Sequence, residues 1–164
     1  MTSVSFFLPE NRLGKLALAP GGISQEKAVG AAKSNLVGIE GETLAEVDKN
    51  LEQLRQAAAK PGLAGDPEGQ REVYGFANLV AGMAGACRLE GLGRAAFYLC
   101  ETVDRMVEVG AWNGKAVAVH MHAINLLRAG GADMPMADQK ALVDGLRGVA
   151  TKARSLGSDV PSAD

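Results

Sequence analysis

The residues of this chain that could carry chemistry are two histidines and two cysteines. His120 and His122 stand two positions apart, and Cys87 and Cys100 fall on the apolar sides of predicted helices. A helix brings residues four apart onto one face, so two histidines that are two apart cannot bind one metal ion together. The spacing therefore predicts no metal site. The cysteines are interpreted as small core residues of a reducing compartment.

The two histidines differ in where their predicted helix places them. His120 falls on the apolar side of a helix predicted from Asn113 to about Arg128, where a histidine is expected to be a core residue. His122 lies roughly 140° from the centre of that side and is predicted to be exposed. The sequence shows no Ser-His-Asp constellation, no phosphate-binding loop and no paired-carboxylate signature. We therefore expect no enzymatic activity and no cofactor.

The helix predicted to begin at Asp66 and Pro67 has an unusual outward side. Its apolar residues recur at steps of three and four and form one core-facing side: Val73, Phe76, Ala77, Val80, Met83, Ala84 and Cys87. The opposite side carries one amide and three glycines: Gly75, Asn78, Gly82 and Gly85. Each interior glycine costs about 1 kcal/mol of helix stability relative to alanine. A bare side of this kind predicts a surface where a partner approaches the backbone closely.

The segment around Asn78 resembles the signature of histidine-containing phosphotransfer (HPt) domains. In that family an Ala-His pair is followed, three positions after the His, by a Lys or Arg, and then by Gly and further small residues. Residues 77–85, ANLVAGMAG, match these positions, but Asn78 replaces the phospho-accepting His and Ala81 replaces the basic residue. Farther along, residues 120–123, HMHA, resemble a His-x-x-Ala motif that follows the signature in one bacterial branch of the family.

The resemblance implies an up-down four-helix bundle that docks a response-regulator receiver domain or a histidine kinase. It also implies that this site carries no phosphate, because an amide has no basic nitrogen and no cation stands in the family's position. The expected function is a pseudo-HPt module that modulates two-component signalling by competition or sequestration. Its expected binding face consists of six residues: Gly75, Asn78, Leu79, Ala81, Gly82 and Gly85.

Two alternatives stay open from the sequence. The chain could be a working phosphotransfer intermediate that uses His122 or His120 as a displaced phosphoacceptor. It could instead be a structural homodimer in which the glycine-lined side packs on its own copy. The glycines alone do not separate the dimer from the docking module, whereas a concentration-dependent mass in solution would.

The elements that must position these residues follow from capping and breaking signals. A short helix is predicted from Ser24 to about Val37, ended by Gly38 and Gly41. A second helix is predicted from the capping box that Thr43 forms with Glu46, and it runs to about Lys60. One further helix is predicted from Asp66 to Gly91, followed by a tight turn at Gly91 and Gly93. The last three helices are predicted at residues 92–109, 113–128 and 136–156. Short loops imply antiparallel neighbours, so these last four helices are predicted to form the bundle.

Three regions are predicted along the chain. Residues 1–23 are interpreted as an N-terminal arm, because prolines and glycines interrupt any regular pattern there. Residues 24–157 are predicted to form one helical-bundle domain, and residues 158–164 a polar tail. The predicted architecture is therefore all-α, a four-helix bundle with an additional N-terminal helix and arm.

Composition favours helices and excludes several classes of function. Of 164 residues 47% are apolar and only 4% aromatic, so the core must be built from Leu, Val, Ala and Met. The net charge of −2, with scattered Lys and Arg, predicts no nucleic-acid partner. No apolar run is long enough to predict a membrane span, and the first residues lack a signal-peptide pattern. A cytoplasmic protein is expected.

Overall fold

The computed structural model describes Gly14 and residues 21–155, and this part of the chain is all-helical, without a strand. Five α-helices account for most of it: α1 Gln25–Ala58, α2 Pro67–Ala84, α3 Glu90–Glu108, α4 Gly114–Gly130 and α5 Met136–Ser155. Short 3-10 turns occur at Leu63–Gly65, Gly85–Cys87 and Gly131–Asp133. The predicted all-α class is confirmed. The predicted polar tail and most of the predicted arm lie outside the described residues.

Two compact units divide the chain, residues 1–38 and residues 39–164. In the described part of the first unit, α1 begins after Ser24, whose hydroxyl accepts a hydrogen bond from the Lys27 amide at 3.3 Å. This N-cap confirms the predicted start of the helix. Among the described residues, apolar side chains of the first unit such as Leu36 and Val37 are exposed, whereas the second unit contains a hydrophobic core.

Helix α1 contradicts the prediction of two helices separated near Gly38 and Gly41, because it is continuous over 34 residues. Thr43, predicted to cap the second helix, donates its hydroxyl to the Ile39 carbonyl one turn earlier, at 2.7 Å. A glycine commonly ends a helix by adopting a positive φ, and neither Gly38 nor Gly41 does so. Each glycine therefore weakens the helix without ending it. The predicted capping box is wrong.

The boundary between α2 and α3 also differs from the predicted turn at Gly91 and Gly93. Helix α2 already ends at Ala84, and the left-handed residue of the connection is Arg88, with a φ of 56°. The Leu89 amide donates to the Ala84 carbonyl at 2.9 Å and closes the turn. Gly93 lies in a crowded position instead, since a Cβ there would stand 3.3 Å from the Ala84 Cβ. The first turn of α3 thus packs closely on the end of α2.

Local signals predicted the other helix ends correctly. The Asp66 carboxylate caps α2 by accepting from the Gly69 amide at 3.0 Å, and Pro67 occupies the first helical position. The Asn113 side chain accepts from two amides in the first turn of α4, at 3.1 and 3.2 Å. Gly110 follows α3 with a φ of 64°, as expected for a helix-ending glycine.

Helix α3 is the central element of the second unit, since it contacts α2, α4 and α5. Its inward side chains are buried: Leu92, Ala95, Ala96, Leu99, Val103 and Met106. The second half of α1 adds four more core residues: Val47, Leu51, Leu54 and Ala57. This half of α1 is held to α4 by Arg128, which donates two hydrogen bonds to the Asp48 carboxylate at 2.6 and 2.8 Å. None of the described helices combines the length and apolarity that a membrane crossing requires.

Candidate functional site

Helix α2 presents one side to the core and the opposite side to solvent. Val73, Ala77, Val80 and Ala84 are fully buried, and Phe76 and Met83 are half-buried against the core. On the opposite side Asn78, Leu79, Gly82 and Gly85 are exposed and Gly75 is half-buried, whereas Ala81 is half-buried and packs against the core. These six residues of the predicted binding face are called the α2 face below. Five of them lie on α2, and Gly85 follows in the 3-10 turn after its end.

The glycines of the α2 face have free space around them. A Cβ added at Gly75, Gly82 or Gly85 would meet no heavy atom within 4 Å beyond the helix's own neighbouring backbone, among the described residues. Gly69, in the first turn of the same helix, is different. A Cβ there would collide with the Asp66 cap and lie 2.8 Å from Leu63 Cδ2. Close neighbours thus explain why residue 69 is a glycine. No such neighbours explain the three glycines of the face.

Asn78 is an exposed amide with no hydrogen-bond partner among the described residues. The nearest candidates for a supporting cation are engaged elsewhere. Arg71 pairs with Glu68, which raises the pKa of the guanidinium, and Arg88 lies 3.9 Å from Glu40. The face therefore offers hydrogen-bonding groups and backbone, but neither a nucleophile nor a fixed positive charge.

Two large apolar side chains are exposed on α2 and α3. Leu79, a member of the α2 face, is 48% exposed, and Phe97 on α3 is 53% exposed and packs edge-on against Tyr98, with ring centroids 5.8 Å apart. The Cys100 thiol donates to the Tyr74 carbonyl at 3.8 Å, which places this part of α3 beside α2. Phe97 was not predicted as a site residue. The available signal was an aromatic residue on the otherwise polar side of α3.

His120 is a core residue, as its position on the apolar side of α4 predicts. Its side chain is fully buried, with Nδ1 2.9 Å from the Ala116 carbonyl and Nε2 3.4 Å from the Thr102 hydroxyl. Burial lowers the pKa of the imidazole, because the cation would lose its hydration. The ring is therefore neutral near pH 7 and joins α4 to α3.

His122 is exposed, and it lines a cleft of about 360 Å³ between the end of α1 and α4. Arg55 and Trp112 line the same cleft. Arg55 donates to the Asn125 side chain at 2.9 Å and pairs with the Glu52 carboxylate at 3.1 Å. No residue of the α2 face lines this cleft. A guanidinium in the same cleft as an exposed imidazole could stabilise an anionic group there. No local pattern around His122 predicts Arg55 as its neighbour, because the two residues are far apart along the chain.

Both cysteines are buried free thiols. Burial raises the pKa of Cys100 to about 11 and also raises that of Cys87, so both are neutral thiols near pH 7. The Cys87 thiol donates to the Glu40 carbonyl at 3.7 Å. Within the described part of the chain, no cluster of three or more His, Cys, Asp or Glu could hold a metal ion.

The α2 face combines open backbone, one neutral amide and apolar flanks, and this arrangement can bind a protein surface without changing it chemically. Exposed patches that mix apolar and polar groups around a bare helix side are suited to packing against another helix. Comparison of the chain with protein-family models, with curated proteins and with solved structures found no match in any of the three.

Proposed function

We propose that this protein is a non-phosphorylatable HPt-like module that docks a response-regulator receiver domain or a histidine kinase through the α2 face. By occupying that partner it would modulate two-component signalling through competition or sequestration. The observation that carries the proposal is the pair of glycines around Asn78, Gly75 and Gly82. Their Cβ positions are open, although alanine at either position would make a more stable helix.

Open glycines on a helix surface leave room for an interaction outside the chain. Gly145 and Gly148 on α5 are equally open, so the choice of α2 rests also on Asn78 and on the resemblance to the HPt signature. Where packing within the unit limits a glycine, as at Gly91 and Gly93, neighbouring side chains lie within contact distance of the added Cβ. Gly82 has no such neighbour among the described residues. A partner helix that packs across this point would gain close approach to the α2 backbone.

The proposed scaffold is an up-down four-helix bundle formed by α2 to α5, with the second half of α1 packed on the same core. Short connections between successive helices support this arrangement, since they favour antiparallel neighbours. Helix α3 contacts α2, α4 and α5 and would be the central helix of this scaffold. In such a bundle α2 holds the face on a rigid element, which suits a preformed binding surface.

The proposed mechanism is docking without transfer. Asn78 can donate and accept hydrogen bonds at the centre of the interface, but its amide nitrogen cannot attack a phosphoryl group. Ala81 supplies no charge that would stabilise a phosphorylated residue. A partner bound here would keep its phosphate while its own docking surface is covered.

The second candidate function is phosphotransfer through His122. The observation that favours it is the exposure of this imidazole in a cleft that Arg55 also lines. The guanidinium would stabilise the charge of a phosphohistidine. His120 is less suited to that role, because its ring is fully buried and both nitrogens face polar atoms.

Phosphoryl labelling separates the two functions. When the protein is incubated with a phosphorylated receiver or an active kinase, we expect no acid-labile label on it. His122→Ala is the matched variant, because the residue is exposed and its loss should leave the fold intact. Label on the parent protein that disappears in His122→Ala would contradict the docking function and establish the second candidate.

A further inference from the structure

A groove of about 770 Å³ opens between the start of α3, the end of α4 and the first part of α5. No residue of the α2 face lines it. Its floor and walls include six apolar side chains: Leu89, Leu92, Leu127, Met134, Met136 and Val143. The volume lies within the range of clefts that bind small molecules, which are typically about 300–1,000 Å³.

Positive charge dominates the rim of this groove, called the α3–α5 groove below. Two acidic residues line it, Glu90 and Asp144. Four cationic residues also line it: Arg88, Arg94, Lys140 and Arg147. Lys140 and Arg147 share the Asp144 carboxylate, at 2.8 and 3.3 Å. Arg94 is exposed and makes no hydrogen bond or ion pair within 4 Å among the described residues. Its charge acts on the Asp144 carboxyl, whose pKa is lowered mainly by the Lys140 hydrogen bond and further by the charges of Lys140, Arg147 and Arg94. The hydrogen-bond donors of the Arg94 guanidinium are thus open to an anion from outside the chain.

The walls of the groove combine a fixed part and an adaptable part. Gln139 donates to the Met134 carbonyl at 2.9 Å, and its Oε1 lies 2.9 Å from the position that a Cβ of Gly91 would take. A side chain at position 91 would therefore displace the Gln139 amide from this wall. Met136 is 77% exposed at the edge, and methionine side chains adapt easily to the shape of a bound apolar group.

We propose that the α3–α5 groove binds a small amphipathic carboxylate, such as a medium-chain aliphatic acid. The apolar chain would lie over Leu92, Leu127 and Val143, which are buried at the base of the groove. The carboxylate would pair with Arg94, whose planar guanidinium can donate two parallel hydrogen bonds to it. Charge complementarity selects an acid over a neutral or cationic amphiphile. This proposal is independent of the docking function.

Decanoate is the probe, with calorimetry to measure binding and backbone amide NMR shifts to locate it. We expect one decanoate per chain, with shifts concentrated at the start of α3 and in α5. Decanol, which has the same chain length without the charge, should bind on the order of tenfold more weakly. Arg94→Gln should weaken decanoate binding by a similar factor and leave the thermal melt unchanged, because the side chain is exposed.

Two further variants control the assignment. Lys115→Gln removes an exposed cation from α4 outside the groove and should not affect binding. Ala137→Trp adds a large side chain at an exposed groove position and should block decanoate by filling its space. Decanoate that binds no better than decanol, or that binds Arg94→Gln as well as the parent, would overturn the proposal. A dimer that Ala137→Trp dissociates would also overturn it, because a second copy would then occupy the groove.

Discussion

The Gly82→Leu protein is expected to melt at the temperature of the parent and to bind its receiver or kinase partner on the order of a hundredfold more weakly. The fold should tolerate leucine, because the Cβ position of Gly82 is open and the side chain would extend into solvent. Binding should fail, because the leucine would stand where the partner approaches the α2 backbone. A loss of about 2 kcal/mol or more is typical of a change at the centre of an interface.

Two alanine variants on the same helix calibrate this result. Gly82→Ala should raise the free energy of unfolding by up to about 1 kcal/mol, since alanine is the better helix former. Gly69→Ala should lower it, because the new Cβ would displace the Asp66 cap. Thermal melts and binding titrations on the same samples measure both effects. If the two variants shift the free energy of unfolding in opposite directions, thermal melts can distinguish an open glycine position from a crowded one.

Two outcomes would contradict this account of the α2 face. A Gly82→Leu protein that melts far below the parent would mean that Gly82 is buried inside the unit. One that melts normally and binds normally would mean that the face is not the interface. A parent protein whose mass rises with concentration, and whose dimer Gly82→Leu dissociates, would instead support the homodimer.

His120→Ala is expected to lower the free energy of unfolding by about 2–4 kcal/mol, a large effect for one residue. The variant removes a fully buried ring and leaves a cavity between α3 and α4, and it removes the partner of the Ala116 carbonyl. His122→Ala is the matched control, two positions away on the same helix. Because His122 is exposed, its loss should change the free energy of unfolding by less than about 0.5 kcal/mol.

The same pair predicts a pH dependence with a definite sign. The pKa of His120 lies below its ordinary value of 6.5 in the folded protein, because burial disfavours the cation. As pH falls below about 6.5, the unfolded chain takes up a proton that the folded protein does not, so stability decreases. The decrease is at most about 1.4 kcal/mol per pH unit and levels off once the folded protein is protonated too. Above pH 6.5 this contribution is constant.

Denaturant melts between pH 7.5 and 5.5 test this linkage. His122→Ala should keep the parent's loss of stability on acidification, whereas His120→Ala should lose the part that the buried ring contributes. If all three proteins lose stability in parallel, His120 does not remain neutral in the folded state, and its assignment as a core residue would be wrong.

Local chemistry explains which parts of the fold were predictable from the sequence. The caps at Asp66 and Asn113 were predicted correctly, because each depends on one side chain and on amides two or three residues away. The burial of His120 followed from the periodicity of α4 in the same way. Gly38 and Gly41 misled the prediction, because a glycine inside a helix resembles a helix-ending glycine until its φ is known.

Surfaces built from distant parts of the chain were not predictable. His122 shares its cleft with Arg55, and the α3–α5 groove depends on Arg94 and Asp144 lying on the same opening. No local pattern contains these pairings, because they follow from how whole helices pack. The exposure of Asn78, Leu79, Gly82 and Gly85 was accessible to prediction, since helical periodicity separates them from the buried residues of the same segment, whereas Ala81 packs against the core.

Docking through the α2 face requires that the protein capture its partner from the native cell. Asn78→Arg places a long cation on the face, while Gln53→Arg adds the same side chain at an exposed position on α1. We predict that the parent and Gln53→Arg capture a receiver domain or histidine kinase, and that Asn78→Arg captures neither. Equal capture by Asn78→Arg, or the absence of receivers and kinases among the proteins captured by the parent, would contradict the claim.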